Sequence, residues 1–150
     1  MADTPDIPHI PLLAPIVALV AWTLVMQIWL YATRLPAMKR KGIDLKNRRG
    51  GRGAQLDGVL EDQVQWKAHN YNHLLEQPTL FYAIAFALIL LGNSGEELTL
   101  IFAWAYVGLR VVHSLIQATS NIVRWRFLAF ITASLCLLGL TVTAGLILLK

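Results

Sequence analysis

FLAFITASLCLLGLTVTAGLILL, Phe127–Leu149, runs for 23 residues without a charged side chain. An α-helix needs about 20 mostly apolar residues to cross the hydrocarbon core of a bilayer. It is one of the few structures able to do so, because its backbone N–H and C=O groups pair within the segment. The stretch therefore predicts a transmembrane helix. Working back along the chain, Gln77–Gly95 gives 19 residues without charge, and Leu98–Leu109 gives 12 that continue past Arg110 through Val111–Val123. A first segment from about Pro11 to Thr33 completes a set of four, with Trp22, Trp29 and Tyr31 suited to an interfacial belt at one end.

Composition agrees with the run lengths. The 150 residues are 56% hydrophobic and 15% charged, with a mean hydropathy of +0.54, against about 45–50% apolar residues in an ordinary soluble domain. The expected fold is all-α, an integral membrane four-helix bundle forming one domain over residues 1–150. Its helices are expected at about 11–35, 62–92, 97–119 and 123–149, with a basic loop at 36–60. The opening MADTPDIPHIP is acidic and proline-rich, unlike the positive n-region of a secretory signal, so the first segment is expected to stay as an anchor.

Orientation follows from Lys and Arg. Between Pro36 and Leu60 lie Lys39, Arg40, Lys41, Lys46, Arg48, Arg49 and Arg52, against only Asp44 and Asp57. The positive-inside rule puts this loop in the cytoplasm. The connection at Gly92–Glu97 is short and acidic, and the one at Thr119–Arg126 is basic again, so both termini are expected outside. With no organellar or retention signal evident, a prokaryotic inner membrane is the expected location. Topology and anionic headgroups account for the net charge of +4, so no nucleic-acid partner is expected.

Two features carry little chemistry. Gly50, Gly51 and Gly53 in NRRGGRGAQ lack the GxxxxGK[ST] pattern of a phosphate-binding loop, so they mark a flexible connection. Cys136 is the single cysteine, which excludes a disulfide framework and a CxxC redox motif. Gly92, Gly108, Gly139 and Gly145 are expected to allow close helix approach.

Ionisable groups gather instead where helix two enters the membrane, in HNYNHLLEQPTLFYA, His69–Ala83. Charges at such depth are costly and mark sites. At helical spacing His69, Asn72, His73 and Glu76 share a face, and Pro78 is expected to bend the helix by clashing with the carbonyl of Leu74. Helix three adds Arg110, His113 and Ser114; helix four opens with Arg124 and Arg126; helix one closes with Arg34. Arginines converging at the depth of one carboxylate suit an anionic, hydrogen-bonding ligand. His69 and His73 at i and i+4 would also let two imidazoles reach one ion, although HxxxH by itself is a weak metal motif and no metal is expected.

KAHNYNHLLEQPTLFYA, AYVGLRVVHSLIQ and NIVRWRF together resemble the MAPEG family, the membrane-associated proteins in eicosanoid and glutathione metabolism. The resemblance spans nearly the whole chain. It implies a four-helix protomer, assembly as a homotrimer, and glutathione bound as co-substrate in pockets between protomers on the cytosolic side. It also implies transferase, isomerase or peroxidase chemistry on a lipophilic substrate arriving from the bilayer. Arg110 and His113 match the family's helix-three pattern, Arg126 falls where the family places the arginine that stabilises the glutathione thiolate, and Arg124 competes for that role. Arg34 resembles the helix-one arginine that grips a glutathione carboxylate, or else it is a snorkelling anchor.

Helix two departs from the family's Arg, Asn four residues on, Glu three further. Anchoring on Glu76 puts His73 at the Asn position and His69 at the Arg position, with Asn70 or Asn72 available to supply the amide. Two readings compete with a glutathione-dependent transferase or peroxidase. One is a non-enzymatic bundle in which His, Asn and Glu join helices. The other is a small proton-coupled transporter using Glu76.

Overall fold

The computed structural model describes residues 10–43, 46 and 49–150; the acidic opening, Asp44 and Arg48 lie outside the described residues. The described chain is helical. Helix α1 is Leu13–Arg40, followed by a short 3-10 turn at Gly53–Leu56, then α2 (Asp62–Glu76), α3 (Pro78–Leu90), α4 (Glu97–Thr119) and α5 (Val123–Leu148). α2 and α3 together form one span, so four helical segments are long and apolar enough to cross a membrane. The protein is a multi-pass integral membrane four-helix bundle.

Pro78 divides α2 from α3, as its missing N–H and its ring require. The opposite outcome holds at Pro36. The sequence suggests a helix ending near residue 35, yet α1 continues through Pro36 to Arg40. Ala37 and Met38 are buried there against Leu56 and Leu60, so tertiary packing outweighs the lost backbone bond.

The core lies between the spans. Leu12, Ile16 and Leu19 of the first segment meet Phe81, Ala85 and Leu88 of α3, Ala103, Tyr106 and Val107 of α4, and Ala133, Leu137 and Leu140 of α5. Phe81 stacks on Tyr106 with centroids 4.6 Å apart. Leu24, Ile28, Leu80, Phe86, Leu135, Leu138 and Leu146 face outward, as expected where lipid replaces water. Of the glycines expected at close approaches, only Gly139 serves that purpose within the protomer. An added Cβ there would lie 2.8 Å from the Phe102 ring, whereas Gly108 and Gly145 have open space and Gly92 ends a helix at φ 73°.

Helix ends position the site. α1 and α3 close with a glycine in the left-handed region, Gly42 and Gly92, each followed by a bond back across the last turn. α4 closes on Asn121, also left-handed at φ 51°, whose own N–H reaches the Ile116 carbonyl at 2.7 Å. Asparagine tolerates this region better than most residues with a side chain, and it brings an amide to the turn between α4 and α5.

Candidate functional site

At the end of the bundle that carries the loop, α2, α4 and α5 enclose a polar cavity of about 330 Å³. His69, Asn72, His73 and Glu76 of α2 line it, with His113 and Gln117 of α4 and Arg126 of α5. A second cavity of about 230 Å³ shares His73, His113 and Arg126, and its remaining walls are Val123, Phe127 and Phe130. Arg126 therefore stands at a junction, with hydrogen-bonding groups on one side and apolar side chains on the other.

Several members are held by neighbours, whereas His113 Nδ1 and Gln117 Oε1 are buried without a partner among the described residues. His73 Nδ1 lies 3.2 Å from Glu76 Oε2. Arg110 Nη1 lies 3.5 Å from His73 Nε2, and a guanidinium only donates, so His73 is read with its proton on Nδ1 toward Glu76. The His73 ring packs 4.9 Å from His113 and 5.3 Å from Phe130. Arg126 Nη1 donates to Asn121 Oδ1 in a short bond, which ties the guanidinium to the left-handed turn that ends α4.

Arg110 is absent from the cavity linings. It is fully buried beneath His73, donating to the His73 carbonyl at 2.9 Å and to Gln77 Oε1 at 3.4 Å. Gln77 Nε2 continues to Ser134 Oγ at 2.8 Å, so one chain of polar groups joins α4, the α2–α3 break and α5. It pairs the terminal nitrogens of Arg110 and the Gln77 amide at a depth where lying unpaired is costly, and leaves the buried Arg110 Nε without a partner among the described residues.

Of the residues that the sequence offers, six come together around the polar cavity: His69, Asn72, His73, Glu76, His113 and Arg126. Arg124 lies over the Trp125 ring at 5.5 Å and lines neither cavity. Arg34 donates to the Gly53 carbonyl at 2.6 Å and lines a different cavity. His69 and His73 each face a separate carboxylate, Asp57 and Glu76, so the two imidazoles do not converge on one ion.

Other participants escaped the sequence reading. Gln117 follows Arg110 and His113 at the same helical spacing, a signal available in the sequence. Asn121, Gln77, Ser134 and the apolar trio Val123, Phe127 and Phe130 carried none, because their roles arise from a turn and from packing between helices.

Asp57, in the loop, accepts from Gln65 and from His69, the latter at 3.0 Å. The Gln65 bond, followed by that of His69, holds its carboxyl below the ordinary value. A third cavity, of about 250 Å³, lies there between Asp57, Asp62, Gln65, Trp66, His69 and Asn121, adjoining the polar cavity through His69.

A model of the MAPEG family matches residues 12–146, nearly the whole chain. The chain belongs to the MAPEG family. Neither the curated proteins nor the solved structures yield a match. MAPEG membership accounts for the four spans and, at the level of the family, for a link to glutathione chemistry. The geometry of Arg126 between a polar and an apolar cavity belongs to this MAPEG chain's own residues.

Proposed function

We propose that this protein is a membrane-bound, glutathione-dependent transferase or peroxidase that activates a thiol for attack on a lipophilic electrophile. The observation carrying the proposal is the position of Arg126 on the boundary between the polar and apolar cavities.

A free thiol ionises near pH 8.5, the thiolate is the nucleophile, and a fixed positive neighbour in a partly dry pocket lowers that value. Arginine suits the role because it does not lose its own proton. In this reading the thiol ligand lies in the polar cavity, where Asn72, Glu76, His69 and Gln117 offer donors and acceptors to a peptide. The sulfur sits at Arg126, with His73 and His113 beside it. The electrophile enters past Val123 and Phe127, both exposed on the outer face of α5, and presents its reactive atom to the thiolate. The thiol proton passes to water as the thiolate forms. The new bond then forms from sulfur to that atom, while the bond from that atom to its leaving group (the O–O bond of a peroxide) breaks, and the departing group keeps the electron pair and takes up a proton.

Asn72 and Glu76 are exposed on a membrane-spanning helix, and a neighbouring copy would relieve that cost. This supports the homotrimer as part of the proposal. The orientation in it has the basic loop in the cytosol, both termini outside, and a prokaryotic inner membrane as the location.

Titration of the purified protein with glutathione, followed by ultraviolet difference absorbance, tests the reading. The expected result is a saturable thiolate band, lost in Arg126→Ala and kept in Arg124→Ala. No band and no calorimetric binding of glutathione would overturn it. The non-enzymatic bundle and the Glu76 transporter would then stand in its place.

A further inference from the structure

Arg34 faces a cavity of about 270 Å³ between the end of α1 and the glycine-rich loop. Tyr31, Leu35 and Leu56 make its apolar wall, and Arg34 and Arg52 supply charge without a carboxylate in the lining. Gly50 and Gly51, at φ 69° and 120°, leave bare main chain along the opposite side. Gly53 suits the close approach, since a Cβ there would meet both terminal nitrogens of Arg34 at 3.2 Å and the guanidinium would have to give by a few tenths of an ångström.

A guanidinium has five donors, and among the described residues Arg34 uses one, toward the Gly53 carbonyl. The nearby acid, Asp57, attracts Arg34 through space, but its hydrogen bonds go to Gln65 and His69. Along the outer face of α1, Val17, Leu24, Ile28, Tyr31 and Leu35 follow helical spacing and are all exposed, and the last two line this cavity. An apolar stripe running along a membrane span thus ends in a cationic niche at the bilayer surface.

We propose that this cavity binds the phosphate of an anionic phospholipid, with an acyl chain lying along the α1 stripe. The phosphate accepts from the Arg34 donors that no described residue takes and from Arg52, which fixes the loop to the end of α1. The shape and charge together favour an amphiphile: a free anion would have no use for the stripe, and a second protein copy would leave the arginines unmatched. The proposal does not depend on the thiol chemistry assigned to Arg126.

Native mass spectrometry of the full chain tests it, using protein released from nanodiscs of phosphatidylcholine doped with phosphatidylglycerol. The readout is the preference for phosphatidylglycerol among retained adducts. Diffuse attraction is worth about fivefold per basic residue near the surface, wherever that residue sits. A built site therefore predicts that Arg34→Gln/Arg52→Gln loses far more preference than Lys39→Gln/Lys41→Gln, a control on the same loop end, while Arg34→Lys keeps part of it. If Arg34→Gln fails to fold, Arg52→Gln against Lys41→Gln carries the same comparison.

Equal losses in the two pairs would overturn the proposal in favour of diffuse charge. Displacement of the adduct by inorganic phosphate would overturn it in favour of a free anion. Efficient disulfide formation between copies through Leu35→Cys, in a Cys136→Ser background, would overturn it in favour of a second copy on the stripe.

Discussion

The guanidinium of Arg110 donates to the main-chain oxygen of His73 at 2.9 Å, joining α4 to α2 one turn before the break at Gln77. Pro78 cannot donate a backbone hydrogen bond and interrupts the helix there, while Arg110 serves the His73 carbonyl one turn before the break. The same guanidinium touches His73 Nε2 and Gln77 Oε1, and thereby fixes the imidazole on which both cavities close. Two arginines that look alike in the sequence have separated physically. Arg110 is fully buried and joins helices, whereas Arg126 is half-buried and borders open space.

Arg110→Ala is therefore expected to act on stability first. It removes charge-assisted bonds and leaves a buried carbonyl and an amide oxygen unpaired, a loss of about 2 kcal/mol. Thermal unfolding in detergent should show a lowered midpoint, with Arg110→Lys between the variant and wild type. A variant with an unchanged midpoint but abolished glutathione binding would mean that Arg110 contacts the ligand instead.

Asn121 is expected to position Arg126. Asn121→Gly keeps the left-handed turn but removes the Oδ1 acceptor, so folding should be preserved while Arg126 loses its tether. A charge-assisted bond is worth about 1.5 kcal/mol or more, which corresponds to roughly a tenfold fall in kcat/KM for thiol transfer. The thiolate band should shift toward higher pH in the same variant. Unchanged kinetics and band would show that Arg126 holds its place without Asn121.

The spans were legible because twenty apolar residues in a row are a local property of composition. So was the α2 stripe, since i, i+3 and i+4 spacing alone brings His69, Asn72, His73 and Glu76 to one face. The end of α1 was not legible: the local signal at Pro36 is overridden by Leu56 and Leu60, eighteen or more residues away in the chain. Nor did the sequence reveal that His69 pairs with Asp57, because that partner lies in a loop, whereas the His73–Glu76 pair at i and i+3 follows from the stripe. Arg34 shows the same limit. Its neighbour Gly53 is brought to it by the 3-10 turn, and no spacing rule places it there.

Glycines in the last two helices divide into two kinds. Gly139→Ala pushes a methyl group to 2.8 Å from the Phe102 ring, and such overpacking costs about 1–3 kcal/mol. Gly108→Ala and Gly145→Ala meet nothing within 4 Å in the protomer, and gain up to about 1 kcal/mol from helix propensity. Unfolding midpoints should therefore move in opposite directions, and Phe102→Leu should restore Gly139→Ala. Equal effects at all three positions would contradict this packing.

The loop tether should be lost in acid. Hydrogen bonds from Gln65 and His69 hold the Asp57 carboxyl below its ordinary 3.8. A group whose ionisation is easier in the folded state stabilises the fold fully above its unfolded pKa and loses that contribution as pH falls through the folded value. Above about pH 4 the carboxylate therefore accepts from both partners, and below its folded pKa the protonated acid releases them. Amide exchange in the loop, corrected for intrinsic rates, should show steady protection down to that range and then a fall. Asp57→Asn should be less protected throughout and show no such acid step. Because His69 lines the polar cavity as well, glutathione affinity should weaken over the same interval. A step at the same pH in Asp57→Asn would assign the transition to another carboxylate.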